Sequence, residues 1–114
     1  MKLEEIVEKL NLEVKAGKEG LNIEVLGGYV SDLLSDVMAN SRKGDLWITL
    51  QIHQNTIAVA TLKELAGIIL INAKEPAEET VVKAEQEGVP LLVSPMTAFE
   101  VVCHLHQLGI SGKR

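Results

Sequence analysis

The chain has 114 residues, of which 46% are apolar and 24% are charged, so its length and composition are those of one globular domain and exclude disordered and fibrous classes. Its net charge of −5 excludes a domain that binds nucleic acid through a general positive field. The single cysteine excludes an internal disulfide and a four-cysteine iron–sulfur site, and no apolar run approaches the roughly 20 residues of a membrane span. We therefore expect a cytoplasmic protein without a cofactor, and neither nucleic acid nor a membrane as partner.

The first half of the chain predicts a short helix, two strands and a longer helix. Residues 3–10 place apolar side chains on one helical face, whereas residues 12–14 and 21–25 alternate as strands with one wetter face do. A longer apolar stripe at helical spacing follows, with Ser31 as its cap. The members of this stripe are Val30, Leu33, Leu34, Val37 and Met38. The glycine pair at 27–28 precedes it, and its backbone N–H groups either cradle an anion at the helix start or simply form a turn.

The second half repeats a strand–helix unit three times. Strands are predicted at residues 46–50, 67–72 and 90–94, because unbroken apolar runs are typical of strands covered on both faces, as in parallel sheets. The start and stop signals of the helices are Asn55 as a cap, Pro76 in a first turn, Gly88 after a last turn, and Ser94 or Thr97 as a further cap. Three such units imply right-handed crossovers, and hence an α/β fold with a mainly parallel sheet flanked by helices. We expect one domain over residues 1–110 and a flexible tail at 111–114.

No motif in the chain indicates an enzyme. A phosphate-binding loop and a dinucleotide-binding glycine motif are both absent from the sequence, which argues against a kinase. Cys103 and His106 are three residues apart and would share a helix face, but two ligands from one helix do not make a zinc site. We therefore expect no metal, a buried structural Cys103, and exposed side chains at His104 and His106.

Polar side chains follow each of the three predicted parallel strands. The carboxyl ends of parallel strands meet at one edge of a sheet, where open α/β sheets bind their ligands. Helix N-termini would add partial positive charge there and Lys74 a full charge, which suits a small anion. The alternative is that these side chains only cap the helices. The candidate ligand-binding residues are His53, Gln54, Asn55, Asn72, Lys74, Ser94 and Thr97.

Several segments together resemble the DRTGG domain family. They are residues 30–38, 44–49, 55–60, 67–70 and 88–92, with Pro76 between the last two. The resemblance covers most of the chain and is strongest to stand-alone bacterial members, whose genes neighbour iron–sulfur hydrogenase subunits. It implies the fold of the N-terminal domain of HPr kinase/phosphorylase, a tendency to dimerise, and a regulatory or assembly role. The Asp-Arg position of the family falls near His53-Gln54, and its Thr-Gly-Gly falls on Ile71-Asn72-Ala73.

These observations lead to one principal functional expectation and two alternatives. The principal one is a non-catalytic regulatory or assembly module, homodimeric and associated with redox or hydrogenase metabolism, with a hydrogenase-related protein as partner. The first alternative is a sensor that binds a nucleotide or a phosphate-like anion at the carboxyl edge of the parallel strands. The second is an enzyme whose site is completed by a partner. A sensor should show a pocket beside the candidate residues, and an assembly module an exposed apolar patch.

Overall fold

The computed structural model describes residues 1–112, which form an α/β domain. Of the predicted tail at 111–114, residues 113 and 114 lie outside the described residues. The elements in chain order are α1 (Leu3–Leu10), β1 (Glu13–Ala16), a 3-10 turn (Lys18–Gly20), β2 (Gly27–Val30), α2 (Leu34–Asn40), β3 (Asp45–Thr49), α3 (Asn55–Leu62), β4 (Gly67–Leu70), α4 (Glu78–Glu87), β5 (Leu91–Val93) and α5 (Ala98–Gln107). Within the described residues, no helix is both long enough and apolar enough to cross a membrane.

The sheet has the strand order β1-β5-β4-β3-β2. Strands β2 to β5 run parallel, with Trp47 opposite Ile68 and Ile69 opposite Leu92, whereas β1 pairs antiparallel with β5. The predicted parallel pairing of the three apolar runs is therefore confirmed, and so is the α/β fold class with a mainly parallel sheet. The strand predicted at residues 12–14 forms as β1, and its antiparallel pairing at the edge of the sheet adds to the predicted architecture.

Each central strand packs into two apolar layers, one on either face of the sheet. Ile48 and Ile69 point into the layer under α1 and α5, which is completed by helix residues such as Leu105. Their neighbours Trp47 and Ile68 point into the opposite layer, under α2, α3 and α4. Because successive strand residues alternate between the two faces, an unbroken apolar run is what a doubly covered strand requires.

The predicted strand at residues 21–25 is wrong. These residues form turns with one isolated antiparallel bridge between Lys2 and Glu24. Their carbonyl groups accept hydrogen bonds from the start of α1, since Leu3 N donates to Ile23 O (2.9 Å) and Glu4 N donates to Leu21 O (2.8 Å). The first N–H groups of a helix have no partner within the helix, and this segment supplies partners from outside.

The glycine pair at 27–28 forms neither the predicted anion cradle at a helix start nor the predicted turn. Gly27 and Gly28 lie inside β2 and pair with the start of β3. The stripe predicted as a helix from residue 30 continues as strand and loop, and α2 begins only at Leu34. The loop between them is held by side chains of β3. The Trp47 indole Nε1 donates to Ser31 O (2.8 Å), and the Thr49 hydroxyl donates to Asp32 Oδ1 (2.8 Å). The Ser31 hydroxyl accepts from Leu33 N and does not cap α2.

Candidate functional site

The carboxyl ends of β3, β4 and β5 lie at one edge of the sheet, and the loops that follow them are tied together. Asn72 N donates to Met96 O (2.9 Å) and Ala73 N donates to Ser94 O (2.8 Å), so the loops after β4 and β5 are in direct contact. The loop after β3 reaches the start of α4, where the Thr80 hydroxyl donates to Ile52 O (2.7 Å). The structure therefore brings the three predicted loops to a shared edge.

Two of the candidate residues use their side chains within the fold. Ser94 is buried, and its hydroxyl accepts from Met96 N (3.1 Å). Thr97 caps α5 as predicted, because its hydroxyl accepts from Glu100 N (3.3 Å). Both hydroxyls thus serve local backbone N–H groups, but only Thr97 caps a helix, and the Ser94 hydroxyl holds the loop before α5.

The remaining five candidates are exposed at this edge, namely His53, Gln54, Asn55, Asn72 and Lys74. The predicted cap at Asn55 is wrong by one position: α3 already includes Asn55, the cap position falls on Gln54, and no side-chain cap bond is made there. The His53 carbonyl instead accepts from the Thr56 hydroxyl (2.7 Å) and from Thr56 N (3.1 Å), which closes the first turn of the helix.

The loop after β4 contains two consecutive residues with left-handed backbone, Asn72 (φ 55°) and Ala73 (φ 56°). Lys74 N donates to Ile71 O (3.1 Å) across them, which makes a tight turn. Asn tolerates this conformation, whereas alanine has a Cβ that makes it unfavourable. The sequence resemblance places the glycines of the DRTGG motif at these two positions, and the turn has a backbone shape that glycine adopts freely.

The electrostatics of the edge are mixed. Lys74 is an exposed cation, but Glu78 and Glu79 occupy the first turn of α4 beside it in the chain. Glu75 accepts an ion pair from Lys15 on β1 (2.6 Å), and hydrogen bonding to Glu75 first and to Glu13 second raises the pKa of Lys15 above its ordinary value. The edge offers amide, hydroxyl and ammonium donors, and its candidate residues include no paired nucleophile and base.

Gln54 also lines a shallow depression of about 360 Å³ between the starts of α3 and α4. The other lining residues are Glu78, Glu79, Val82, Lys83 and Gln86. This depression is the nearest approach to the pocket that the sensor alternative requires, and its walls are acidic on one side.

A second surface, which sequence reasoning missed, lies between β2 and α5. Val30 is 50% exposed, Phe99 is 83% exposed and Val102 is 40% exposed. A cavity of about 160 Å³ and an adjoining depression of about 490 Å³ share Val102 and His106 in their walls. We call this surface the β2–α5 groove and define it by Gly28, Val30, Phe99, Val102, Cys103 and His106.

The predicted burial of Cys103 is wrong, because Cys103 is exposed in the wall of the same groove. Helix α5 turns Val101 and Leu105 into the core. Cys103 and Phe99 lie on other faces of the helix, and no helix or strand of the described residues covers them. The exposure of His104 and His106 agrees with the prediction. The signal that could have revealed the groove is Phe99, a large aromatic residue in a chain with three aromatics.

Within residues 1–112, no group of three or more His, Cys, Asp or Glu side chains is placed to hold a metal ion.

Comparison with known proteins supports the fold. No family model matches the chain, and no curated protein matches it. Among solved structures, it is similar to the CBS and DRTGG domains of the regulatory region of Clostridium perfringens pyrophosphatase, a structure determined in complex with the activator diadenosine tetraphosphate. The TM-score is 0.66 at 15% sequence identity, over 90% of this chain and 44% of the other.

The chain thus has a DRTGG/CBS-like fold, in agreement with the α/β fold that the sequence resemblance implied. It spans less than half the length of that regulatory region. At this level of identity the likeness concerns the fold, and the role of the chain is argued from its own surfaces.

Proposed function

We propose that the chain is a non-catalytic regulatory or assembly module that acts as a homodimer. The observation that carries the proposal is the β2–α5 groove, an exposed apolar surface beside an edge strand. Its large apolar side chains are exposed to solvent, namely those of Phe99 and Val102 on α5 and Val30 on β2. Contiguous exposed apolar surface of this kind is typical of protein–protein contacts. The regulatory setting of the structurally similar pyrophosphatase region supports the same class of role.

Two measurements on the purified chain test this proposal. Native mass spectrometry across a dilution series should show a species of twice the chain mass that dissociates reversibly on dilution. An assay of ATP turnover should show none above that of a heat-inactivated sample. A chain that stays monomeric at every concentration would contradict the homodimer, and turnover that follows the folded protein would contradict the non-catalytic role.

A second candidate function is a sensor of a nucleotide or phosphate-like anion at the strand-end edge. Two observations favour it. The loops after β4 and β5 are in contact at an edge that also carries the exposed Lys74, and the structurally similar region binds a nucleotide activator. Its residues would be His53, Gln54, Asn55, Asn72, Lys74, Ser94 and Thr97. The hydroxyls of Ser94 and Thr97 already accept hydrogen bonds from nearby backbone N–H groups, which argues against it.

NMR titration separates the sensor from the assembly module. ATP, AMP, acetyl phosphate and inorganic phosphate are added in turn while the signals of His53, Asn72 and Thr97 are followed. A sensor should show saturable shifts that Lys74→Ala weakens and that the matched variant Lys9→Ala on α1 leaves unchanged. Unshifted signals at millimolar ligand would reject the sensor and leave the assembly module.

The cellular setting is proposed from the sequence resemblance. We propose that the chain works in the cytoplasm beside redox enzymes, and that its protein partner is a hydrogenase-related subunit. Size-exclusion chromatography of the purified chain mixed with a purified iron–sulfur hydrogenase subunit should then yield a joint peak. Separate elution of the two proteins would contradict the proposed hydrogenase association. The proposal of a regulatory or assembly module does not depend on that result.

A further inference from the structure

We propose that residues 109–112 form a strap that covers the β2 edge of the sheet and keeps that edge from pairing with a further strand. The strap is held in place by Gly109 and Ile110, and an extended segment can add to β2 only after the strap has left. Because the strap acts within one chain, it does not depend on the proposed homodimer.

The two edges of the sheet differ in charge. Natural sheets protect their edges from pairing with charged side chains or with a covering segment. Strand β1 carries charges, since Lys15 pairs with both Glu13 and Glu75. Strand β2 consists of Gly-Gly-Tyr-Val and has no charged side chain. The β2 edge therefore needs protection of the other kind.

Part of the β2 backbone points away from β3. Ser31 N, immediately after the strand, donates to Ile48 O of β3 (3.3 Å). The N–H and C=O groups of one extended residue point to the same side, and successive residues alternate between the two sides. The backbone groups of Gly28 and Val30 therefore point outward, where a further strand would bind.

Residues 110–112 cross the strip of sheet between α5 and β2. Together with Gly28 and Val30 they line the cavity of about 160 Å³. Gly112 lies beside the outward carbonyl group of Gly28, because a Cβ at Gly112 would be 3.6 Å from that oxygen. A further strand would lie about 4.8 Å from β2, so it would meet Gly112 at this point.

The end of α5 directs the chain toward β2. Gly109 N donates to His106 O (3.0 Å), and Ile110 N donates to Leu105 O (3.0 Å). These two bonds are the Schellman pattern of a helix C-terminus, and Gly109 at φ 90° supplies the left-handed residue that the pattern requires. Ile110 is 9% exposed and packs in the same apolar layer as Leu105. Local backbone geometry and one apolar side chain thus fix the start of the strap.

The strap is anchored at Ile110 and is exposed beyond it. Ser111 and Gly112 are both exposed. Within residues 1–112 the sheet has five strands and β2 is the last of them, so the strap is not a sixth strand with a ladder of its own. An extended segment that offers β2 a full ladder would therefore compete with the strap, as in recognition by strand addition.

A substitution at Gly109 tests the strap in the full chain. No atom lies within 4 Å of a Cβ at this position, so Gly109→Val causes no clash, but valine strongly disfavours a φ of 90°. We expect the strap to leave β2, which should shift the NMR signal of the Gly28 carbonyl carbon. The exposed edge should then make the variant associate beyond the state of the parent chain, as measured by analytical ultracentrifugation.

Gly88 at the end of α4 provides a matched control. Gly88 N donates to Glu85 O (3.4 Å) and Val89 N to Ala84 O (2.9 Å), which is the same helix-end pattern. Its φ is 70°, and no atom lies within 4 Å of a Cβ there. Gly88→Val therefore introduces the same kind of strain on the β1 side of the sheet, and it should associate as the parent chain does. Urea unfolding of both variants shows that they lose comparable stability.

A charge on β2 provides a rescue. Val30 is 50% exposed, and lysine on an edge strand discourages pairing. Adding Val30→Lys to Gly109→Val should return the association to that of Val30→Lys alone, although the Gly28 signal stays shifted. This result would show that the molecules associate through β2 and not through general unfolding.

Each outcome supports the strap or overturns it. Association that follows Gly109→Val, is absent in Gly88→Val and is removed by Val30→Lys supports it. An unshifted Gly28 signal in Gly109→Val overturns the role of Gly109, and a shifted signal without further association overturns the protection of the edge. Equal association of Gly88→Val, or association that Val30→Lys leaves unchanged, also overturns it. Because every variant is compared with its own parent, a monomeric parent chain contradicts only the proposed homodimer.

Discussion

Ala73 has a backbone conformation that usually requires glycine. Its φ of 56° follows the φ of 55° at Asn72, and the turn they make connects β4 to the strand-end edge. A left-handed alanine is unfavourable by about 1–2 kcal/mol, because its Cβ lies close to the following carbonyl oxygen. The position keeps alanine even though its side chain is exposed and contributes no core packing.

Replacing Ala73 with glycine should therefore stabilise the fold. The relief of the left-handed strain is partly offset by the larger conformational entropy of glycine in the unfolded chain, so Ala73→Gly should raise the free energy of unfolding by about 0.5–1 kcal/mol. Urea unfolding measures this change. The control is Ala77→Gly, where φ is −60° and no strain is relieved. A lower stability for Ala73→Gly than for the parent chain would show that the turn is not strained.

Asp36 is the acidic residue through which stability should depend on pH. Hydrogen bonds from Ser31 first, then from Tyr29 and Asn40, lower its pKa below the ordinary value of 3.8, and the bonds from Tyr29 Oη and Asn40 Nδ2 measure 2.8 and 2.9 Å. A lowered pKa means that the folded protein favours the carboxylate. Its stabilising effect is present above pH 3.8 and is lost as the pH falls through the lowered value.

Asp36→Asn should therefore destabilise the protein more at pH 7 than at pH 2. Urea unfolding at the two pH values measures the difference. Tyr29→Phe is the companion variant, because it removes one donor and should move the Asp36 pKa back toward 3.8 in a carboxyl carbon NMR titration. An equal loss of stability at both pH values would show that Asp36 acts through packing and not through its charge.

At the scale of the elements, the central strands formed where unbroken apolar runs predicted them, and β2 formed where no run predicted it. Leu70 on β4 is fully buried, between parallel strands β3 and β5. Gly27 and Gly28 have low strand propensity, and they adopt a strand because β3 offers a parallel partner along the whole segment. Local propensity thus decided the middle of the sheet, and pairing decided its edge.

Truncation of a central strand residue should be costly. Leu70→Ala should lower the free energy of unfolding by roughly 2–5 kcal/mol, because the side chain is fully buried in the layer under α3 and α4. Chemical unfolding monitored by far-ultraviolet circular dichroism measures the loss. Val82→Ala, at an exposed site on α4, should change the stability by about 0.5 kcal/mol or less. If Leu70→Ala lowered the stability as little as Val82→Ala does, the burial of β4 would be contradicted.

At the scale of the whole molecule, the two edges of the sheet differ in charge. The β1 edge carries a charged network around Lys15, whereas the β2 edge continues into the apolar groove of α5. The strand-end edge lies between them, at the carboxyl ends of β3, β4 and β5. The two proposed roles therefore use different surfaces, and a variant in one surface should leave the other unaffected.

A homodimer makes thermal stability depend on protein concentration. Because association stabilises only the folded chains, the Tm of the parent chain should rise with concentration. The Tm of Val102→Glu should be independent of concentration if the groove is the interface. Differential scanning calorimetry at several concentrations measures both. A Tm of the parent chain that does not change with concentration would contradict the homodimer. Native mass spectrometry should then show a monomer as well.

The layers and the strand-end edge could be predicted from the sequence because their signals are local. Residues 46–48, 68–71 and 91–93 are apolar without interruption. The stop at Gly88 and the cap at Thr97 depend on neighbouring backbone alone. Once these strands are parallel, their following loops must meet at one edge, and the candidate residues follow from that geometry.

The tertiary structure alone decided the edges and the exposed surfaces. Residues 21–25 alternate like a strand, but their carbonyl groups accept hydrogen bonds from the first N–H groups of α1 and so cap that helix. Gly27–Val30 forms the strand instead, because β3 lies beside it. Cys103 is exposed because α5 has no helix on its outer side, which depends on how many elements cover each face. Pairing and coverage join residues that are distant in the chain, so no local pattern records them.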